Sequence, residues 1–85
     1  MQYLSWAFNL RALPEQKLLA IYVAGVVNQD GFVLIDEETA ARWCGFVSPA
    51  RNIPRLHHVG AFLQDIPGLK FEYRDCGKIS VEITL

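Results

Sequence analysis

Leu69-Lys-Phe-Glu-Tyr-Arg74 and Ile79-Ser-Val-Glu-Ile-Thr-Leu85 alternate apolar and polar residues one by one. Successive side chains of an extended chain point to opposite faces. Leu69, Phe71 and Tyr73 therefore share one face, and Lys70, Glu72 and Arg74 the other. Ile79, Val81, Ile83 and Leu85 alternate in the same way with Ser80, Glu82 and Thr84. Asp75-Cys-Gly-Lys78 joins the two runs, which together read as a two-stranded hairpin with one buried face.

Upstream of the hairpin the period changes from two to that of a helix. Leu56, Val59, Phe62, Leu63 and Ile66 recur at spacings of three and four, and Pro67-Gly68 stops the pattern. A proline in the second turn of a helix costs about 3 kcal/mol where its N–H is needed. This helix is therefore expected to start at or near Pro54 and to run to Ile66, after a turn over residues 47–53. Before it, Asp36 is a good N-cap for Glu37 to Cys44, and Gly45 suits the left-handed position that ends such a helix. Trp43 is expected to anchor the core there. Phe32-Val-Leu-Ile35 is long enough for one small strand, and Asn28-Gln-Asp-Gly31 is a turn. Pro14 and Glu15 suit the first turn of a helix that continues through Leu18, Leu19, Ile21, Tyr22, Val23, Val26 and Val27 to Asn28. Its apolar positions cover more than one face, so burial on two sides is expected. Residues 1–13, with Tyr3, Leu4, Trp6, Phe8, Leu10 and Leu13, are apolar but weakly periodic, and read as a strand or a short helix. The fold class is thus α+β: three helices, a short strand and a C-terminal hairpin.

The chain has 85 residues, 52% hydrophobic and 20% charged, with a net charge of −1 from 8 Lys+Arg and 9 Asp+Glu. That is the size of one small domain, spanning residues 1–85, and domains of this size bury roughly 60–65% of their unfolded surface. The composition is too apolar and too balanced for disorder. It lacks the basic excess of a polybasic nucleic-acid coat. The chain is also small for an enzyme with its own substrate and cofactor pockets, and no cofactor is expected. No repeat, low-complexity tract or linker divides it. Cys44 and Cys76 are too few for a disulfide framework and read as reduced thiols of a cytoplasmic protein. Met1-Gln-Tyr-Leu-Ser-Trp6 lacks the basic start of a signal peptide. The longest apolar run, Leu18 to Val27, is about half of a bilayer span, so no membrane association is expected.

This order of segments resembles a winged helix-turn-helix domain. The residues that carry the resemblance are Trp6, then Leu13-Pro-Glu-Gln-Lys-Leu-Leu19, then Asn28-Gln-Asp-Gly-Phe32, then Ile35-Asp-Glu-Glu-Thr-Ala-Ala-Arg-Trp-Cys-Gly45. They are similar to the compact winged-helix modules of phage and plasmid replication proteins and of small phage or mobile-element regulators. The similarity extends over residues 4–85. In that family the helix after the turn glycine enters the major groove, and the hairpin wing touches phosphate or the minor groove. The resemblance therefore implies a recognition helix over residues 54–66 with Arg55, His57, His58, Ala61 and Gln64 facing outward. It implies an upstream loop bearing Ser48, Arg51 and Asn52, and a wing offering Lys70, Arg74 and Lys78. The stretch from Phe46 to Pro54, with two prolines, is longer than the family's connection at this point.

Charge segregation supports the same reading. Between Thr39 and Gln64 lie Arg42, Arg51, Arg55 and two histidines but no acid, while Asp30, Asp36, Glu37 and Glu38 cluster elsewhere. Arginine bridges guanine or phosphate bidentately. The wing cations are interleaved with Glu72, Asp75 and Glu82, which at the level of residues favours a solvated cross-strand face. His57 and His58 point about 100° apart on a helix and do not share a metal easily. Ser48, Cys44, His57 and Asp65 lack any motif that frames a nucleophile, so an enzyme is not expected. Tyr3, Trp6 and Phe8 either lie across the first long helix or form a dimer or partner surface. The expected function is binding of double-stranded DNA as a dimer, by a small transcription regulator or replication accessory. Self-association is part of that expectation, because three to six cations neutralise few phosphates. The alternative is a protein-interaction module, such as a phage-encoded inhibitor of a host protein.

Overall fold

The computed structural model describes residues 2–47, 51 and 53–84, without the side chain of His57. Four helices and three strands follow one another as α1 (Gln2–Phe8), α2 (Pro14–Val26), β1 (Phe32–Asp36), α3 (Glu37–Trp43), α4 (Leu56–Leu63), β2 (Leu69–Tyr73) and β3 (Lys78–Ile83). The strands form one antiparallel sheet in the order β1-β3-β2. The hairpin read from the alternation is present, and β1 adds to the far side of its second strand, Val33 opposite Val81 and Ile35 opposite Ile79. Ile79 and Val81 are wholly buried. They face Leu19, Ala20 and Val23 of α2, Ala40 and Ala41 of α3, and Val59 and Leu63 of α4, in one continuous core.

The N-terminal segment is a helix, which makes four helices rather than three. Its inward residues are Tyr3, Leu4, Ala7 and Leu10, at helical spacing, with Trp6 beside them. Tyr3 and Trp6 reach the lower rim of the sheet and pack over two turn glycines. Gly31 has φ +79° and Gly68 φ +83°. A Cβ on Gly31 would lie 2.6 Å from the Ile83 carbonyl oxygen and 3.0 Å from the Tyr3 hydroxyl; one on Gly68 would lie 3.3 Å from Trp6 Nε1. The left-handed backbone disfavours a side chain at both, and at Gly31 the close approach of the Ile83 carbonyl leaves no room for one.

Helix α2 stops at Val26, two residues short of Asn28, because Asn28 organises the turn that follows. Its Oδ1 accepts from the backbone N–H groups of Asp30 and Phe32, and its own N–H donates to the Phe32 carbonyl. At the other end of α2 the buried Gln16 fastens helix to helix. Its Oε1 accepts from the Leu13 N–H at 3.1 Å and its Nε2 donates to the Phe62 carbonyl at 3.3 Å. Asp36 caps α3 as expected, accepting from the backbone N–H and hydroxyl of Thr39 at 3.1 and 2.9 Å. Helix α4 is shorter than the expected 54–66. Pro54 is held in a bridge to Val47, and the Arg55 N–H donates to the Phe46 carbonyl, so neither residue is helical. Pro67 disfavours helical geometry at Ile66, and the last turn closes as Ile66 N–H to Leu63 C=O.

Trp43 is not a core anchor. It is 55% exposed at the end of α3, its ring lies 5.7 Å from that of Tyr22, and its Nε1 donates to the Leu18 carbonyl. Leu56, expected in the buried stripe, is 40% exposed. Leu18 and Val26 are exposed as well, so the burial of α2 is less complete than its composition suggests.

Two glycines should respond in opposite directions to the same substitution. Gly31→Ala is expected to lower unfolding free energy by about 1–2 kcal/mol from the left-handed backbone alone, before the clash with the Ile83 carbonyl is counted. Gly25→Ala in α2 meets nothing within 4 Å and is expected to stabilise by about 0.5–1 kcal/mol. Urea denaturation of the two variants measures both. For Asp36, hydrogen bonds from the Thr39 hydroxyl and then from its backbone N–H hold the carboxyl below the usual aspartate range, with Lys78 adding to the effect. A lowered folded-state value contributes stability at higher pH that disappears as pH falls through that value. Wild type should therefore lose more stability than Asp36→Asn on acidification below about pH 4, read as thermal midpoint against pH.

Candidate nucleic-acid interface

Helix α3 ends in the turn that its glycine anticipates. The Gly45 N–H donates to the Arg42 carbonyl and the Phe46 N–H to the Ala41 carbonyl, a Schellman pair with Gly45 at φ +75°. The turn drives Phe46 under α4, where its ring stacks on Phe62 at 5.2 Å. The long connection is then pinched off at its base. The Val47–Pro54 bridge and the Arg55 N–H bond to Phe46 bring the chain back to where it left. Residues 46–47 and 54–55 thus lie together, and α4 packs directly against α3 and α2.

Arg51 lies in the connection between those closures, and Arg55 immediately precedes α4; both are exposed. Among the described residues neither makes an ion pair. The other expected cations differ. Arg42 is paired with Glu38 at 3.5 Å, Arg74 with Glu72 at 3.4 Å and Lys78 with Asp36 at 3.5 Å. Arg74 also donates through Nε to the Ser80 hydroxyl. Such exposed pairs contribute about 0–1 kcal/mol and yield readily to a competing phosphate. Lys70 is exposed and, among the described residues, without an ion pair; Glu82 is its cross-strand neighbour. The hairpin tip is only Asp75–Gly77, closed by the Arg74 N–H to the Lys78 carbonyl, so the hairpin is short and carries an acid at its end.

On α4 the expected outward set separates. Ala61 and Gln64 are exposed. His58 is half-buried, edge-on to Phe46 at 5.7 Å and to Phe62 at 6.4 Å, so its ring packs inward. Ser48, Asn52 and the His57 side chain lie outside the described residues. Of the N-terminal aromatics, Tyr3 donates to the Gln29 carbonyl and Trp6 covers Gly68, so both serve the fold; Phe8 is 58% exposed. Sequence reasoning missed Ile53 and Leu56, both exposed beside Arg51 and Arg55. Helical spacing assigned Leu56 to the core. Its exposure follows from its being the first residue of α4, one turn before the first buried contact at Val59.

Among the described residues no three His, Cys, Asp or Glu side chains gather as a metal site, and no helix is long and apolar enough to cross a membrane. Burial pushes the Cys44 thiol up to about 12, which removes the thiolate that nucleophilic chemistry requires. Cys76, at the hairpin tip, is exposed. A thiol reagent such as Ellman's should therefore titrate Cys76 rapidly in the native protein and the half-buried Cys44 much more slowly, until denaturation exposes it. Equal native reactivity of both would contradict the burial of Cys44. The chain matches no protein-family model, no curated protein and no solved structure.

Proposed function

We propose that this chain is a winged helix-turn-helix protein that binds duplex DNA without chemistry, as a small regulator or replication accessory. The observation that carries the reading is the pair Arg51 and Arg55, exposed and without an ion pair among the described residues, with Arg55 at the N-terminal end of α4 and Arg51 on the connection that leads into it. Positive charge at a helix N-terminus adds to the helix's own partial charge and attracts phosphate. The element order, the sheet order β1-β3-β2 and the hairpin after α4 support the same reading. In it, α3 and α4 form the helix-turn-helix, α4 faces the major groove, and Lys70, Arg74 and Lys78 lie toward phosphate. Arg42 joins them once its exposed pair with Glu38 opens.

One observation favours a second reading, a protein-interaction module. Ile53 and Leu56 place exposed apolar surface beside the same two arginines, a mixture suited to a protein partner. The two readings differ in their response to salt. Affinity for random duplex DNA is expected to fall linearly in a plot of log affinity against log salt. Arg51→Ala and Arg55→Ala should each reduce that slope by about 1 per protomer. No binding at low salt overturns the DNA reading and leaves the protein-docking one.

A further inference from the structure

We propose that the free edge of β2 is a self-complementary dimer interface, on which a second copy of this chain pairs antiparallel about Phe71 to make a continuous six-stranded sheet. Both edges of the sheet belong to five-residue strands, but they differ in what their backbones offer. Antiparallel pairing alternates, so that every second residue bonds across the ladder and the others point away. On β1 the Gly31 carbonyl accepts from the Ile83 N–H, which assigns residues 31, 33 and 35 to the ladder and residues 32, 34 and 36 to the edge. Asn28 then occupies both the N–H and the C=O of Phe32. Of its three outward residues, Phe32 is thus closed, and at Asp36 the chain turns into α3 as that helix's N-cap.

The β2 edge is more open. Thr84 N–H donates to the Gly68 carbonyl and Arg74 N–H to the Lys78 carbonyl, so even-numbered residues bond to β3 and Leu69, Phe71 and Tyr73 point outward. The Leu69 N–H is used by the Ile66 carbonyl. The Leu69 carbonyl and the N–H and C=O of Phe71 and Tyr73 have no hydrogen bond among the described residues. A two-fold axis at Phe71 sets outward residue against outward residue. Each Phe71 N–H reaches the carbonyl of the partner's Phe71, and each Tyr73 N–H that of the partner's Leu69.

Side chains agree with this register on both faces. On the solvent face, Lys70 falls opposite the partner's Glu72 and Glu72 opposite the partner's Lys70. These are non-hydrogen-bonded positions, where cross-strand side chains come closest. On the other face, Phe71 meets the partner's Phe71, and Leu69 meets the partner's Tyr73. These are apolar or aromatic groups, of which Leu69 and Phe71 are half-buried and Tyr73 is 51% exposed in the single chain. Centring the axis on Leu69 loses the charge match. Centring it on Tyr73 runs the pairing into the Asp75–Gly77 turn. The Phe71 register alone keeps all of β2 paired with opposite charges facing.

Sedimentation velocity from about 1 µM to about 1 mM, with no DNA present, tests the proposal separately from the DNA reading. Wild type is expected to shift from monomer to dimer across that range. Lys70→Glu or Glu72→Lys alone puts like charges opposite each other twice and should weaken dimerisation at least about tenfold. The double variant K70E/E72K restores opposite charges and should return the dissociation constant to within about threefold of wild type. Thermal melts confirm that these exposed substitutions leave the fold intact. In the wild type, amide exchange at Phe71 and Tyr73 should quicken on dilution while that of Ile79 and Val81 does not. A chain that stays monomeric at the highest concentration overturns the proposal. So does a dimer indifferent to single charge reversal, and so does a failure of the double variant to restore it.

Discussion

Strand β3 is the last regular element of the chain and the middle of its sheet, and nearly every other element is positioned against it. Its odd residues bond to β1 and its even residues to β2, while Ile79, Val81 and Ile83 turn their side chains into the helices. A strand paired on both sides and buried on one face tolerates no slip. A shift of one residue would send the aliphatic side chains to solvent and Ser80 and Glu82 into the core. The register of the hairpin therefore also fixes where β1 ends, where Asp36 caps α3, and how α2 and α4 lie on the inner face. It makes the fold dependent on contacts distant in sequence, since β1 pairs with residues more than forty positions later.

Around that centre the polar groups are arranged economically. Gln16 satisfies the start of α2 and a carbonyl of α4 with one buried amide, Asn28 closes a turn and part of a sheet edge, and Asp36 caps a helix while it faces Lys78. Among the described residues no buried side-chain nitrogen or oxygen lacks a partner. That pattern is expected of a domain too small to absorb an unpaired buried group, which costs about 1–3 kcal/mol. The surface charges are less committed. Arg42, Arg74 and Lys78 sit in exposed pairs and Arg51 and Arg55 in none. A net charge of −1 thus coexists with a local basic site at the entrance to α4. A neutral monomer holds few phosphates, and self-association through β2 would bring two such sites into one particle.

Much of the fold was legible in the sequence because its signals are local. The alternation over residues 69–83, the Asp36 cap and the Gly45 turn each act within a few residues and appear where expected, while α4 ends three residues before the Ile66 that the Pro67-Gly68 stop led one to expect. Less of the candidate site could be read. Arg51 and Arg55 stood out by the lack of acids around them, but helical spacing could not show that the His58 ring is turned onto Phe46 and Phe62. Nor could it show that Leu56 and Trp43, near helix ends, lie beyond the reach of the core.

Composition and period alone determined an α+β chain with a C-terminal hairpin, because alternation and helical spacing are properties of consecutive residues. Only the tertiary structure decided that residues 2–8 are a helix, since Tyr3 and Trp6 gain their partners from Gly31 and Gly68, far along the chain. It also decided that the long connection before α4 is pinched off by Val47 and Pro54 rather than pushing the helix away. Which sheet edge is the more open was settled in the same way. Hydrogen-bond parity depends on how three strands meet, and no single segment carries that information.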